Sequence, residues 1–322
     1  MYQILLYYCY TPIVDPQLFR EEHHQFCLDI GVYGRIIVAP EGLNGTVSGT
    51  PEQCQAYMAH IKADERFQGI DFKIESSNQH AFRKLNVRVK REIVHSSLTH
   101  LEPTQRTGIH VEPAEFKAMK DRDDVVLVDM RSKYEHELGR FKNAVTLPMD
   151  NFRDLPQVVD KLEPYKDKKI ITYCTGGIKC EKASSYLLEQ GFENVYQLHG
   201  GIIKYGLEEG GEDFEGKCYV FDSRISTDVN SVNPTKGGTC YLCGTESDHM
   251  VNCANVVCNR HTIICEACMP KEEGCCSTSC REDEQNLRAW NMEGYYPTKL
   301  NGYDPARWSR RKDLKKIKNP IQ

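Results

Sequence analysis

A cysteine near the middle of this 322-residue chain lies where a thiol can act as a nucleophile. Cys174 ends the apolar run KKIITYC and is followed by a glycine-rich turn and then a helical segment. Gly176 and Gly177 permit backbone conformations closed to other residues, so several amide groups can point at one anionic atom. The pattern predicts a loop that binds a thiolate or persulfide sulfur.

The residues after this turn favour the ionised form of the Cys174 thiol. The positive N-terminal end of the predicted helix and the ammonium group of Lys179 should both hold the thiol pKa below its usual value of about 8.5. A nucleophile at neutral pH would result. The predicted active-site loop contains Thr175, Gly176, Gly177, Ile178, Lys179 and Cys180.

The sequence leaves two questions about these cysteines open. Cys174 could instead be a buried packing residue at the end of a strand, as free cysteines often are. Cys180 fits either a packing residue at the start of the helix or a second redox thiol.

The segment around the loop, residues 112–217, is predicted to be an α/β domain. Its apolar runs VVLVDM, NAVTLP, KKIITYC and NVYQLHG alternate with helical stretches. Such runs are typical of a parallel sheet covered on both faces. The third run would be the strand that carries Cys174 into its loop.

The first 95 residues predict a different fold. Strand-like runs and two helical stretches follow one another in the order β-α-β-β-α-β, which favours a ferredoxin-like or acylphosphatase-like α+β sandwich. Residues 42–45 (GLNG) are expected to form the hairpin turn between the second and third strands. Residues 96–111, which contain Pro103 and Gly108 and no sustained apolar period, are predicted to be a linker.

The last strand predicted in this first domain has an apolar face and a basic face. Leu85, Val87 and Val89 should point one way, because successive side chains of a strand alternate between its faces. The opposite face is either a solvated surface or a surface that contacts nucleic-acid phosphates. Its residues are Lys84, Arg88 and Lys90.

The final segment, residues 218–322, is rich in cysteine. Nine of the fifteen cysteines lie between Cys240 and Cys280. Two Cys-x2-Cys pairs, 21 residues apart, match a zinc-ribbon-like site, and four protein ligands would make its zinc structural. The predicted ligands are Cys240, Cys243, Cys265 and Cys268. The spacing singles out no second set of four among Cys253, Cys258, His261, Cys275, Cys276 and Cys280.

The end of the chain is strongly basic. Residues 307–318 hold seven basic residues, one acid and one aromatic residue, a composition that favours nucleic-acid binding through residues such as Arg310 and Arg311. A solvated, mobile terminus is the alternative. The net charge of −5 argues weakly against a nucleic-acid partner for the chain as a whole.

Composition also predicts where the protein works. No apolar run approaches the roughly 20 residues needed to cross a bilayer, and the first residues lack a basic start and a cleavage site. Metal-ligand spacings without an export signal suit a reducing compartment. We therefore expect a cytoplasmic protein with no membrane partner.

The region around Cys174 resembles the rhodanese family. That family joins a strand-end cysteine through small residues to a helix, and its other signature residues have counterparts in this chain. The resemblance implies supporting roles for Asp129, Arg131 and Arg140, of which Arg140 replaces the usual histidine. The matching residues are Asp129, Arg131, Glu135, residues 139–144 (GRFKNA) and residues 198–202 (LHGGI).

The order of all segments is more specific. EGLNGT and KLNVRVKREIV before the α/β domain, CTGGIKCEKAS within it and the cysteine-rich segment after it are similar to the rhodanese-containing tRNA uridine hydroxylases. The resemblance implies oxygen-dependent formation of 5-hydroxyuridine at the wobble position, with the tRNA anticodon loop as partner and molecular oxygen as co-substrate. Lys179 stands where that family is expected to have arginine, which keeps the charge but loses the planar fork.

A chemical route can be drawn from these residues. The Cys174 thiolate would add to C6 of uracil, C5 would attack an activated oxygen species, and Lys179 and the loop amides would stabilise negative charge. The sequence identifies no cofactor for catalysis, and it leaves the electron donor and the oligomeric state open. The alternatives are a sulfurtransferase that carries a Cys174 persulfide and a zinc-stabilised adaptor without activity.

Overall fold

The computed structural model describes residues 1–255 and 257–283, which divide into two compact units. The first unit holds residues 1–136 and 140–234, and the second holds residues 137–139 and the chain from Thr235. The predicted RNA-binding residues Arg310 and Arg311 lie outside the described residues. Within the described ranges, no helix is both long and apolar enough to cross a bilayer.

The first domain is a five-stranded sheet with two helices. The strands have the order β4-β1-β3-β2-β5, in which the first four are antiparallel neighbours as in a ferredoxin-like sandwich and β5 is added parallel to β2. The predicted fold of this domain is therefore confirmed. Its elements are β1 Tyr2–Tyr10, α1 Pro16–Ile30, β2 Tyr33–Ala39, β3 Gly42–Gly49, α2 Pro51–Ala63, a 3-10 turn Glu65–Phe67, β4 Lys73–Ser77 and β5 Leu85–Val89.

The hairpin turn between β2 and β3 is shorter than predicted. It consists of Pro40 and Glu41, and residues 42–45 lie inside β3 instead. Position 45 has no room for a side chain, because a Cβ atom there would lie 2.1 Å from Oη of the buried Tyr7 on β1. The glycine cluster marks close packing of two strands, which sequence reasoning took for a turn.

The second domain contains a parallel sheet, as predicted, and the sheet has five strands, one more than the four predicted apolar runs. The strand order is β6-β11-β10-β7-β9, and each neighbouring pair is parallel. The last three residues of the segment predicted as a linker form β6, which is an edge strand of this sheet, so the linker prediction is wrong for these residues. The elements are β6 Ile109–Val111, α3 Pro113–Met119, β7 Val125–Asp129, α4 Lys133–Leu138, β8 Gly139–Phe141, β9 Val145–Thr146, 3-10 turns Phe152–Gln157 and Val159–Tyr165, β10 Lys169–Tyr173, α5 Ile178–Glu189, β11 Val195–Leu198 and α6 Gly201–Glu209.

Both faces of this sheet are buried. Adjacent residues of β10 point to opposite faces, so Ile171 packs into one hydrophobic cluster and Ile170 into the other. Cys174 and Cys180 belong to the same cluster as Ile170. The strand that carries the cysteine loop is thus held from both sides.

The remaining elements are short. Strands β13 and β14 pair antiparallel in the first unit, and β15 and β16 form an antiparallel hairpin in the second. Their bounds, with the other short elements, are β12 Phe214–Gly216, β13 Cys218–Tyr219, β14 Ser226–Thr227, β15 Met250–Asn252, β16 His261–Ile263 and α7 Thr278–Arg281.

Candidate active site and metal centres

The loop between β10 and α5 encloses the Cys174 sulfur. The amide of Gly177 donates a hydrogen bond to Cys174 Sγ at 3.2 Å. Gly177 has a φ angle of +99°, and a Cβ atom there would lie 2.9 Å from Tyr8 Oη, so both its conformation and its surroundings require glycine. The amide of Ile202, at the start of α6, donates to the Cys174 carbonyl at 3.0 Å and holds the loop in place.

The surroundings of Cys174 stabilise its thiolate. Burial raises the pKa of the Cys174 thiol, but the Cys180 thiol, the Lys179 charge and the amides of Lys179 and Cys180 outweigh this and lower the pKa to about 7. Burial, with the adjacent Cys174 sulfur, raises the pKa of Cys180 well above its usual value. Cys180 therefore stays a neutral thiol that donates to the Cys174 thiolate, and a substantial fraction of Cys174 is ionised at neutral pH.

Lys179 is held beside the loop by a buried carboxylate. Its Nζ atom lies 2.6 Å from Oε2 of Glu135, which is fully buried and also accepts the Ser132 amide at 3.0 Å. The ammonium group also lies 5.6 Å from the centre of the Phe221 ring. Glu135, noted in the sequence only as a signature residue, thus positions the cation that lowers the thiol pKa.

Asp129 and Arg131 form a buried ion pair at the end of β7. Both side chains are fully buried, and the guanidinium binds the carboxylate twice, at 2.6 Å and 2.9 Å. The guanidinium carbon also lies 5.9 Å from the ring centre of Tyr173, the residue before the catalytic candidate. The pair therefore fixes the strand ends beneath the loop.

The third predicted supporting residue has a different location. Arg140 lies on β8 and donates to the His136 carbonyl at 3.3 Å. Its role in the reaction stays a prediction.

The first domain contacts the helix that follows the cysteine loop. Tyr8 Oη donates to Glu181 Oε1 at 2.8 Å. Next to it, the fully buried Lys182 ammonium lies 2.7 Å from Glu41 and 3.1 Å from Glu92. The sequence did not predict these partners of α5. Two adjacent charged residues on a helix normally face solvent, and nothing near them in the sequence shows that a distant segment buries them.

A pocket of about 270 Å³ lies at this contact. Its walls include Tyr8 and Tyr10 of β1 and the ion pair of His110 with Glu181, whose atoms are 2.9 Å apart. The hydrogen bond to Glu181 raises the pKa of His110. Burial alone would raise the pKa of Glu181, but the His110 hydrogen bond and charge bring it below its usual value, so both groups favour the ionised state. The buried ammonium of Lys73 also faces this pocket.

The predicted basic face lies at β5, an edge strand of the first sheet, with Arg88 in the strand and Lys84 and Lys90 directly before and after it. Lys84, Arg88 and Lys90 are all exposed, as expected. The predicted apolar face is only partly present, since Val87 is buried while Val89 is 37% exposed. Val89 is the last residue of β5, where the apolar face ends. RNA binding by the basic residues stays a prediction.

The cysteine-rich unit contains two groups of four thiols that could hold a metal ion. The first group is the predicted set, and the ligand atoms within each group lie within 4.8 Å of one another. The groups are Cys240, Cys243, Cys265 and Cys268, and Cys253, Cys258, Cys276 and Cys280.

Fold and loop together define a rhodanese-domain protein with an activated cysteine, and comparisons with known proteins agree. Residues 112–208 match the rhodanese-like domain, residues 2–93 the UPF0176 acylphosphatase like domain and residues 215–281 the rhodanase C-terminal domain. A tRNA uridine(34) hydroxylase of Cytophaga hutchinsonii is 66% identical, over 94% of this chain and 97% of its own length. The enzyme of the same name from Staphylococcus saprophyticus is 47% identical, over 88% of this chain and 92% of its own.

This chain therefore belongs to the tRNA uridine(34) hydroxylase family, and the predicted family is confirmed. Among solved structures, a rhodanese-related protein from Thermoplasma volcanium matches 32% of this chain and 93% of its own length, with 24% sequence identity and a TM-score of 0.27.

Proposed function

We propose that this protein hydroxylates the wobble uridine of tRNA at C5, with the Cys174 thiolate as nucleophile and molecular oxygen as co-substrate. The observation that carries this proposal is the thiol itself, whose pKa is lowered to about 7, against the effect of burial, by the Cys180 thiol, the Lys179 charge and the amides of both residues. The names of the relatives, which specify uridine 34 of tRNA, supply the substrate class. A tRNA substrate also favours a cytoplasmic location.

The chemistry begins with addition of the thiolate to C6 of uracil. This bond makes C5 an enolate carbon, which attacks one oxygen of a peroxide-level species formed from molecular oxygen by two electrons from an external reductant. The O–O bond breaks, C5 keeps one oxygen as the hydroxyl group, and the other oxygen leaves as water. Loss of the C5 proton and of the thiolate then restores the ring. The amides around Cys174 favour the anionic sulfur at the start and the end of this cycle.

We propose that the pocket at the contact of the two domains takes a nucleotide of the anticodon loop. Tyr8 and Tyr10 contribute two aromatic rings to its walls, and unpaired bases stack on such rings. Tyr10 Oη donates to the carbonyl of Ile178 at 3.4 Å, and Ile178 is the first residue of α5, directly after the Cys174 loop. A nucleotide bound there would lie next to the loop.

Tyr10→Leu tests the pocket. The substitution removes the stacking surface, which is worth about 1–3 kcal/mol per base, so the KM for tRNA should rise about 5- to 150-fold while the thiol pKa stays unchanged. Tyr33→Leu, at a half-exposed tyrosine of β2, is the control. Equal KM values for Tyr10→Leu and wild type would contradict the assignment.

We propose structural zinc at Cys240, Cys243, Cys265 and Cys268. The support is a set of four sulfur atoms within 4.8 Å of one another, the ligand type and number that closed zinc sites use. These thiolates would hold the ion and leave no position for substrate. Zinc below about half an equivalent per chain, in protein purified without chelator, would contradict this site.

The central test is nucleoside mass spectrometry of tRNA from cells that lack this protein. Wild type should restore 5-hydroxyuridine and its derivatives, while Cys174→Ser should not, because a serine hydroxyl is not ionised at neutral pH. Cys54→Ser, at a buried cysteine of the first domain, should restore them and controls for cysteine loss. Full restoration by Cys174→Ser would contradict the proposed route and direct attention to persulfide transfer.

A further inference from the structure

The second group of four cysteines contains residues that the sequence could not sort. Cys253, Cys258, Cys276 and Cys280 come together, whereas Cys275 and His261 are not in the group. We propose that these four thiolates bind a second zinc ion and that the two zinc sites are interleaved along the chain. The inference adds to the zinc site proposed above and does not depend on the proposed reaction.

The sulfur spacing fits a tetrahedral zinc ion. Cys276 Sγ lies 3.7 Å from the Sγ atoms of both Cys258 and Cys280. Four sulfurs bound to zinc at about 2.3 Å are about 3.8 Å apart along the edges of their tetrahedron. Sulfurs joined in a disulfide are about 2.05 Å apart. The observed spacing is that of separate thiolates around one ion.

Backbone geometry is the same in the two groups. The amide of Cys276 donates to Cys253 Sγ at 3.3 Å, and in the first group the amide of Cys265 donates to Cys240 Sγ at 3.3 Å. Amide donors that orient a ligand sulfur and stabilise its charge are part of the outer shell of metal sites. The second group therefore has the support that a zinc site needs.

Hydrogen bonds also fix the backbone between the first two ligands, Cys253 and Cys258. The side-chain oxygen of Asn255 accepts the amides of Val257 and Cys258 at 2.8 Å and 3.3 Å, and its amide nitrogen donates to the Cys280 carbonyl at 3.0 Å. One side chain thus links the first ligand pair to the second across about 25 residues of sequence. The site is built from two distant segments.

The ligand pairs of the two sites alternate along the chain. The first site takes the pairs that begin at Cys240 and Cys265, and the second takes the pairs that begin at Cys253 and Cys276. Cys253 follows β15 at one end of the β15–β16 hairpin, and Cys265 follows β16 at the other end. With about 3.4 Å per residue, the three-residue strands separate the two sites by about 10 Å or more.

This interleaving makes the sites depend on each other. Along the sequence, the two ligand pairs of each site flank one ligand pair of the other site. A zinc ion at one end of the hairpin therefore restrains the chain that forms the other end. In a segment with so small a core, metal binding supplies much of the folding free energy.

Native mass spectrometry of the full chain, purified without chelator, tests the inference. We expect two zinc ions in wild type and at most one in Cys276→Ser. The adjacent Cys275→Ser is the matched control and should keep two ions, since Cys275 is buried nearby but outside the group. Cys276→His should also keep two, because imidazole is a zinc ligand.

Three results would overturn the inference. The first is one zinc ion in wild type that Cys276→Ser keeps and Cys243→Ser loses, which would leave the first site alone. The second is loss of zinc from Cys275→Ser with retention in Cys276→Ser, which would reassign the ligands. The third is iron in place of zinc. If Cys276→Ser does not fold, the second site is tested by the zinc counts of wild type, Cys275→Ser and Cys276→His. Two ions in all three proteins support the site, and fewer than two in wild type reject it.

Discussion

The reactivity of the Cys174 thiol is set by its neighbours at the start of α5. Cys180 supplies a neutral hydrogen-bond donor, Lys179 supplies a positive charge, and both supply backbone amides. These contributions together exceed the cost of burying an ionised sulfur, since the pKa falls to about 7 despite an exposure of 1%. A charged sulfur is thus maintained where water does not reach it.

Replacing Lys179 by methionine should raise the pKa of Cys174. Loss of the positive charge favours the neutral thiol, so the midpoint of thiol ionisation should move from about 7 toward the ordinary value of about 8.5, and the thiolate fraction at pH 7 should fall. The ultraviolet absorbance of the thiolate, taken as the difference between each protein and its Cys174→Ser counterpart across pH, gives the midpoint. Lys179→Arg keeps the charge and should keep the midpoint near 7. An unshifted midpoint in Lys179→Met would show that the amides and Cys180 suffice.

Local sequence was enough to predict this part of the site. Cys174, the glycines and Lys179 lie within six residues, and their roles follow from a strand, a turn and a helix start. Glu135 and Tyr8 gave no comparable signal, because each reaches the loop from a segment 44 residues or more away in the chain. The position of a distant partner depends on how the sheets assemble, and spacing along one element does not encode it.

At the next scale, helix α5 connects the reactive loop to the first domain. Glu181 and Lys182 follow Cys180 directly, and both are buried against partners from that domain. Sequence patterns predicted the helix, yet two of its charged residues, Glu181 and Lys182, are buried. A helix that two domains cover on different sides cannot be recognised from one apolar stripe.

Lys182→Met should destabilise the protein strongly. The change leaves the Glu41 and Glu92 carboxylates without their shared cation, and breaking a buried pair costs about 3–5 kcal/mol of the free energy of unfolding. Urea unfolding monitored by circular dichroism measures the loss. Lys166→Met breaks an exposed pair with Glu163, where the two side chains are 37% and 54% exposed, and should cost about 0–1 kcal/mol. A similar small loss for Lys182→Met would mean that the contact between the domains contributes little.

Across the whole molecule, the sequence predicted each domain but not the contacts between domains. The alternation of apolar runs identified two sheets of different type, and both sheets are present in the structure. It also placed residues 96–111 in a linker, although β6 pairs with β11. A strand of three residues is too short to show a period, and its partner lies about 85 residues further on.

The basic face of β5 provides a test at this scale. If Lys84, Arg88 and Lys90 contact tRNA phosphates, replacing all three by glutamine should weaken binding and reduce the slope of log K against log salt by about 2–3. Filter binding of tRNA at several salt concentrations measures the slope.

The control for this test removes the same charge elsewhere. Glutamine at Lys161, Lys166 and Lys168, in the rhodanese domain, should leave the slope close to that of wild type. Equal slopes for the two triple variants would assign the effect to net charge and reject the basic face as a contact surface.

The enclosure of Cys174 also bears on how long the protein survives in an aerobic cell. Peroxide converts thiolates first to sulfenic acid and then to sulfinic acid, a form that most proteins cannot repair. A sulfur ionised near neutral pH reacts fastest on this route when it is open to solvent. With 1% of its surface exposed, Cys174 is shielded from this damage while no substrate is bound. The same packing that prepares the nucleophile therefore also preserves it between reactions.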